Sequence, residues 1–225
     1  MATMYTQVPR AVLWLLKGDD AQIGGEGGDT EPAHTIELGS FYMSRGPISN
    51  IQFEAFSPQH IRHPQSSGDD DPAIVSFRAA TGYAKWYADL AKKPFRLPTE
   101  AEWEFAARAA GPKRYPWGDQ ADKGSSLAWT QENSGTNCHP VDTPKPAKNG
   151  LYGMIGNVWE WTSSLYRPYP ITPDDDRDDP IVDEPRVIRG GSIADSLDSL
   201  SCAKREHRAP DTASELIGFR IVRAL

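Results

Sequence analysis

The second half of the chain has no helical periodicity. From Gly111 to Leu225, apolar residues do not recur at helical spacing, and glycine, proline and asparagine interrupt the short apolar runs. Helical spacing is confined to three segments before Gly111, which begin near the capping residues Ser49, Ser76 and Thr99. Helices followed by short strands and turns over about half the chain predict an α+β fold rich in loops.

Apolar runs and alternating residues mark the expected strands. Ala11–Leu16, Arg186–Arg189 and Gly218–Val222 are each predicted to form a strand. The glycine-rich stretch Gly24–Asp29 lacks the spacing of a dinucleotide-binding loop, and no helical pattern follows it. We expect this stretch to form the tip of a hairpin.

Length and composition predict one domain with large aromatic anchors. The 225 residues contain no linker rich in proline, glycine or serine, so a single domain is predicted over residues 1–225. Four of the seven tryptophans, Trp103, Trp117, Trp159 and Trp161, are expected to anchor the core beneath long loops.

The charge of the chain limits its partners. It has 24 Lys and Arg against 31 Asp and Glu, a net charge of −7, which argues against nucleic acids and anionic membranes. The longest strongly apolar run, Ala11–Leu16, is too short to span a membrane and lacks a signal-peptide pattern. With two cysteines that cannot form a disulfide framework, the chain is predicted to be cytoplasmic by default, and display on a cell surface or virion stays open.

Several motifs in a fixed order resemble those of one protein family. RLPTEAEWEFAAR covers Arg96–Arg108, GNVWEW covers Gly156–Trp161, RGGS covers Arg189–Ser192 and GFR covers Gly218–Arg220. The combination resembles the sulfatase-modifying-factor, or formylglycine-generating-enzyme-like, domain. This resemblance implies an α+β, loop-rich, C-type-lectin-like fold of the formylglycine-generating-enzyme type, with helices packed on short antiparallel strands. Function does not follow from the fold, because the fold carries unrelated activities.

The resemblance also provides a criterion for catalysis. Family members that oxidise a substrate cysteine to formylglycine are understood to bind copper through two cysteines shortly after the Arg-Gly-Gly-Ser motif, and cuprous ions require such soft thiolate ligands. Here the segment after Ser192 has one cysteine, Cys202, and Cys138 lies elsewhere. The chain is therefore predicted to be non-catalytic and to require no cofactor. The alternative is a formylglycine-generating or related metal-dependent oxidase acting on a cysteine-containing substrate.

Calcium is a further metal that the resemblance implies. In the family, the loop around Gly-Asn-x-Trp-Glu-Trp supplies backbone carbonyls and a glutamate, and Gly156, Val158 and Glu160 occupy these positions here. Gly153 stands where the family has an Asp or Asn, so one oxygen ligand is missing for a cation that takes about six to eight. Gly156, Val158 and Glu160 are therefore candidates for a weak calcium site, and the missing ligand favours an empty one.

The end of the chain resembles another branch of this fold, the variable proteins of diversity-generating retroelements. Their diversified segment begins near Arg-Gly-Gly-Ser and ends near an Ile-Gly-Phe-Arg strand, which correspond here to Arg189–Ser192 and Ile217–Arg220. Asn133–Gly135 and His139–Val141 match motifs that precede this segment in those proteins. The resemblance implies a variable ligand-binding segment over residues 189–220 on a rigid scaffold.

Within this candidate segment, scaffold-like residues alternate with chemically unrelated ones. The unrelated residues are expected to present their side chains to an unidentified protein or cell-surface ligand. The alternative is an ordinary loop and strand that close the fold. The segment contains no Tyr, Trp or Phe from Ile193 to Leu216, although these residues favour tight binding. The predicted ligand-binding residues are Ile193, Asp195, Ser196, Leu197, Asp198, Ser199, Ser201, Lys204, Glu206, His207, Arg208, Thr212, Ser214, Glu215 and Leu216.

Overall fold

The computed structural model describes residues 10–109, 111–172 and 174–225, with the backbone alone at Ser125. In these ranges the chain forms three α-helices and ten strands. The helices are α1 (Asn50–Glu54), α2 (Phe77–Ala91) and α3 (Glu100–Ala107). The strands are β1 (Leu13–Leu16), β2 (Asp20–Ile23), β3 (His34–Glu37), β4 (Phe41–Ser44), β5 (Phe95–Arg96), β6 (Trp159–Leu165), β7 (Arg186–Arg189), β8 (Arg205–Arg208), β9 (Ile217–Phe219) and β10 (Val222–Ala224). None of the helices in the described ranges is long and apolar enough to cross a bilayer.

Two four-stranded sheets form the framework. The first has the order β1-β4-β10-β5 and is antiparallel throughout, and β2 and β3 form a separate hairpin. The second has the order β8-β7-β6-β9, in which β9 runs parallel to β6 and the other neighbours are antiparallel. The predicted α+β class is confirmed. The glycine-rich stretch Gly24–Asp29 lies between β2 and β3, as predicted for a hairpin tip.

The strand predicted over Gly218–Val222 is divided between the two sheets. Its first part pairs with β6 as β9, whereas its last residue begins β10, which pairs with β4 and β5. The change of sheet occurs around Arg220, whose buried side chain donates to the carbonyl oxygens of Ser44 and Tyr152. The prediction of one continuous strand was wrong because an apolar run does not reveal that an arginine within it has partners in the interior.

The helix α3 begins as the sequence predicts. The Thr99 hydroxyl accepts from Glu102 N at 3.1 Å, and the Glu102 carboxylate accepts from Thr99 N at 2.8 Å, which completes a capping box. Glu100 lies in the first turn, where a carboxylate favours the helix through its dipole, but the structure buries the side chains of both Glu100 and Glu104 fully. Both carboxylates contact arginines of β7 and β8.

The tryptophans predicted as core anchors divide into two pairs. Trp161 and Trp103 are fully buried, so the prediction is confirmed for both. Trp161 packs with Phe219 against α2, and Trp103 lies in a second apolar cluster that includes residues of β4. Trp117 and Trp159 are only partly buried, and part of each ring faces solvent.

Candidate ligand-binding surface

Three buried arginines hold the candidate segment in place. Arg189 ends β7 at the start of the segment, Arg205 begins β8 in its middle, and Arg220 directly follows β9. Their exposed fractions are 0%, 2% and 0%. Because an arginine keeps its charge inside a protein, each of them requires a buried anion. α3 and β6 supply these anions.

Two carboxylates of α3 pair with Arg189 and Arg205. Arg205 Nε lies 2.8 Å from Glu100 Oε1, and Arg205 Nη2 donates to Glu100 Oε2 at 2.9 Å. Arg189 Nη2 donates to Glu104 Oε2, and Arg189 Nε lies 3.3 Å from Glu100 Oε1. The buried Tyr169 hydroxyl donates to Glu100 and accepts from Arg189. The start and the middle of the segment are thereby bound to one helix.

Glu160 of β6 is the partner of Arg220. Arg220 donates through Nε to Glu160 Oε2 at 2.6 Å and through Nη2 to Glu160 Oε1 at 2.7 Å. Trp103 Nε1 donates to the same Oε2 atom at 2.8 Å. All three side chains are fully buried. A guanidinium group within the protein thus neutralises this carboxylate.

This pairing contradicts the predicted calcium site at Gly156, Val158 and Glu160. Calcium binds anionic oxygens, but both oxygens of Glu160 already accept hydrogen bonds from Arg220. The Gly156 carbonyl accepts from Val158 N at 2.9 Å. The residues at these positions do not fit a calcium ion, because a buried guanidinium group already neutralises the one carboxylate among them. The motif could not show this, since the arginine lies 60 positions after the glutamate.

The loop after β7 is organised around Asp195. Its carboxylate accepts from the backbone N–H and the hydroxyl of Ser192, both at 2.9 Å, and from Trp159 Nε1 at 3.0 Å. A turn of 3-10 helix over Leu197–Ser199 follows, and its last two residues are exposed. Asp195 therefore fixes the shape of the loop that presents this turn to solvent.

The strand β8 and the preceding residue, Lys204, carry the second group of predicted residues. Lys204 Nζ lies 3.1 Å from Glu206 Oε1, and Arg208 Nη1 lies 3.8 Å from Glu206 Oε2. Arg208 Nε also donates to Glu215 at 2.6 Å. His207 is exposed. Because β8 is an edge strand of its sheet, this charged group lies at the rim of the molecule.

Two of the predicted ligand-binding residues are buried. Ile193 and Ser201 are each 5% exposed. Ile193 packs with Cys138 and Val158 beneath the loop, and the Ser201 hydroxyl accepts from Lys204 N at 2.9 Å. Ile193 is packed in the interior, so this prediction is wrong. Ser201 is nearly inaccessible and only lines the groove beside Lys204. A sequence without periodicity does not show which residues of a loop turn inward.

The other predicted residues reach the surface to different degrees. Five of them are exposed: Asp198, Ser199, His207, Ser214 and Glu215. The partly buried residues are Asp195, Ser196, Leu197, Lys204, Glu206, Arg208, Thr212 and Leu216. The structure thus leaves most of the predicted positions available to a partner.

The scaffold places large aromatic rings beside residues 193–216, which contain no Tyr, Trp or Phe. Tyr166 is partly buried and stacks on His207, with ring centroids 4.1 Å apart. Trp159 is partly buried and donates to Asp195. Sequence reasoning missed this role, because Trp159 belongs to a motif assigned to the core and Tyr166 is distant along the chain. Aromatic rings of this kind are the side chains that often dominate binding energy.

Two hollows adjoin the segment. A cavity of about 310 Å³ is lined by Leu197 and Glu132, among others. The hydrogen bond from the Thr130 hydroxyl lowers the pKa of Glu132, so this carboxylate is ionised at neutral pH. A wider groove of about 840 Å³ lies between Lys204 and the glycine-rich stretch of the β2–β3 hairpin. The surface around the segment therefore has concave regions that can receive groups of a partner.

The two cysteines are separate and buried. Cys138 Sγ lies 3.8 Å from the Asn157 carbonyl oxygen, and Cys202 Sγ lies 3.4 Å from the Ala107 carbonyl oxygen. They belong to different apolar clusters. Burial raises the pKa of Cys138 to about 12 and also raises the pKa of Cys202. The neutral thiol is favoured at both positions, whereas copper(I) requires thiolates.

We expect both thiols to be unreactive in the folded protein. With a pKa of about 12 for Cys138 in place of about 8.5, its thiolate fraction near pH 8 falls about a thousandfold. Labelling with a chromogenic disulfide reagent should be negligible in buffer and complete for both thiols in guanidinium chloride. Fast labelling of one thiol without denaturant would contradict their burial.

Comparisons with known proteins assign the chain to a family. The family model described as "Sulfatase-modifying factor enzyme 1-like domain" matches residues 3–225. The formylglycine-generating enzyme of Streptomyces coelicolor is 31% identical over an alignment 268 positions long, which covers 87% of this chain and 83% of the enzyme. The inactive C-alpha-formylglycine-generating enzyme 2 of Mus musculus is 34% identical over 161 residues, which cover 65% of this chain and 46% of that protein.

A solved structure shows the same fold. Treponema denticola variable protein 1 superposes with a TM-score of 0.85 at 23% sequence identity, and the match covers 95% of each chain. The C-type-lectin-like fold of the formylglycine-generating-enzyme type, which the motifs predicted, is confirmed. The chain therefore belongs to the sulfatase-modifying factor enzyme 1-like, or formylglycine-generating-enzyme-like, family.

Proposed function

We propose that this chain is a non-catalytic ligand-binding protein with a diversified C-terminal segment, like the variable proteins of diversity-generating retroelements. The observation that carries the proposal is the division of residues 189–220 into two classes. Arg189, Arg205 and Arg220 are buried and paired, whereas most of the predicted side chains between them reach the surface. Such a surface can change its chemistry while the scaffold keeps its fold.

The proposed partner is a protein or a cell-surface ligand. Charged side chains lie beside the partly buried rings: Asp195 accepts from Trp159 Nε1, and Glu206 and Arg208 flank His207, which stacks on Tyr166. Aromatic anchors surrounded by polar groups are typical of protein interfaces. The net charge of −7 opposes a nucleic acid as the partner.

The state of the thiols supports a non-catalytic function. The family includes both a formylglycine-generating enzyme and a relative named as inactive. Cys138 and Cys202 are buried in different clusters, and their raised pKa values oppose thiolate formation. They therefore do not fit a copper ion that needs two adjacent thiolates.

The retroelement origin is tested by sequencing the DNA that flanks the gene. We expect a near-copy of the region encoding residues 189–220 that differs from the gene at positions where the copy carries adenine. Flanking DNA without such a copy would contradict the diversified segment, although it would leave a fixed ligand-binding surface intact.

The non-catalytic character is tested with copper and a cysteine-containing peptide. The protein is incubated with copper, a reductant and the peptide, and the peptide mass is followed over time. The Streptomyces coelicolor enzyme serves as the positive control. We expect no aldehyde from this chain under conditions in which the control converts the peptide completely. Formation of formylglycine by this chain would overturn the proposal in favour of the oxidase.

A further inference from the structure

A small apolar cavity lies apart from the two hollows at the segment. Its volume is about 160 Å³, and its walls include Trp117, Leu127, Leu151, Met154 and Ile155. An apolar cavity of about 150 Å³ in another protein binds benzene, so this space is large enough for one six-membered ring. No aspartate or glutamate is among the described residues that line it.

Two lysines stand at the rim of this cavity. Lys145 and Lys148 line it and are exposed, and the ammonium groups have no hydrogen bond or ion pair with any residue in the ranges that the structure describes. Their loop is tied to α3, because Asn149 Nδ2 donates to the Ala106 carbonyl oxygen at 2.8 Å. An apolar space with two unpaired cations at its opening is complementary to a molecule with an apolar group and an anion.

We propose that this cavity binds an aryl carboxylate, in which a benzene-sized ring is joined by a short carbon chain to a carboxylate. The ring would leave water for the apolar cavity, and the carboxylate would accept hydrogen bonds from Lys145 and Lys148. A free acid such as 3-phenylpropionate and a polypeptide that ends in phenylalanine both present these groups. The proposal concerns a site separate from the variable surface and does not depend on the proposed function.

The cavity nevertheless adjoins the variable surface. A Cβ added at Gly124 would lie 2.9 Å from Trp117 Cζ2 and 2.3 Å from Leu197 Cδ2, so these two side chains meet there. Trp117 is thus both a wall of the cavity and a neighbour of a predicted ligand-binding residue. A ring bound in the cavity is expected to restrict the motion of the Trp117 side chain.

The experiment locates the ligand through Met154. The full chain is labelled with carbon-13 at the methionine methyl groups, and the Met154 signal is assigned with a Met154→Leu variant. Titration with 3-phenylpropionate should be saturable and give a nuclear Overhauser effect between the ring protons and the Met154 methyl group. The uncharged 3-phenyl-1-propanol should bind about tenfold more weakly. A peptide that ends in phenylalanine is then compared with its C-terminal amide, which lacks the carboxylate. This comparison shows whether the end of a polypeptide also binds in the cavity.

Variants separate the two parts of the site. Lys145→Gln with Lys148→Gln should weaken carboxylate binding about tenfold and leave alcohol binding unchanged. The control variant combines Lys85→Gln with Lys93→Gln, at two exposed lysines in and after α2. It should change neither the affinity for the carboxylate nor that for the alcohol. Leu127→Phe should fill the cavity and abolish binding of both compounds while the thermal midpoint shows that the variant is folded. Equal affinity for acid and alcohol, no contact with Met154, or undiminished binding by Leu127→Phe would overturn the proposal.

Discussion

Glu160→Gln is expected to lower the free energy of unfolding by about 3–5 kcal/mol, because it leaves a buried charge without its partner. That charge is Arg220, which is fully buried and donates hydrogen bonds to both oxygens of the Glu160 carboxylate. A single domain is stable by about 5–15 kcal/mol, so the expected loss is a large share of the total. Urea denaturation followed by tryptophan fluorescence measures the change.

Glu206→Gln is the matched control for Glu160→Gln. It makes the same substitution on β8, where Glu206 pairs with Lys204 at the surface, and should change stability by no more than about 0.5 kcal/mol. Glu160→Gln combined with Arg220→Met removes both buried charges and is expected to recover part of the loss. Equal stability of the two single variants would show that the buried pair does not hold the end of the segment.

Glu100→Gln is expected to have the second large effect. The Glu100 carboxylate lies 2.8 Å from Arg205, 3.3 Å from Arg189 and 3.5 Å from Arg177, and these three arginines are nearly inaccessible to water. The variant removes the negative charge that they share, which should cost about 3–5 kcal/mol. Amide hydrogen exchange should rise more in β8 than in β4, because Arg205 ties β8 to α3.

The control for Glu100→Gln is Glu184→Gln. Glu184 pairs with Arg167 at 2.7 Å on the surface, and its replacement should leave both the urea midpoint and the exchange rates unchanged. An equal rise of exchange in β4 and β8 of the Glu100 variant would mean that the ion group stabilises the whole fold without a special role for the segment.

The sequence predicts the framework of this fold well, because the signals are local. The capping pair Thr99 and Glu102 marks the start of α3, and the apolar run at Arg186–Arg189 marks β7. The RGGS and GFR motifs place both ends of the candidate segment. These features depend on residues that are close together along the chain, and a pattern can therefore reveal them.

The interior of the site was not predictable in the same way, because its contacts join distant residues. Arg189, Arg205 and Glu100 are residue types that usually lie at the surface, and α3 is 105 residues away from Arg205. One local signal exists, since Arg220 stands within the otherwise apolar run Gly218–Val222. An arginine in such a run indicates a buried partner, but it does not identify the carboxylate.

The exposed side chains of the segment can be exchanged, whereas its buried arginines cannot. Two libraries displayed on cells and challenged with a protease test this claim directly. The first randomises the exposed positions of the segment, Asp198, Ser199, His207, Ser214 and Glu215. The second randomises the three buried arginines, Arg189, Arg205 and Arg220. Most members of the first library should resist the protease as well as the starting chain, and nearly all members of the second should be cleaved. Similar losses in both libraries would contradict the account.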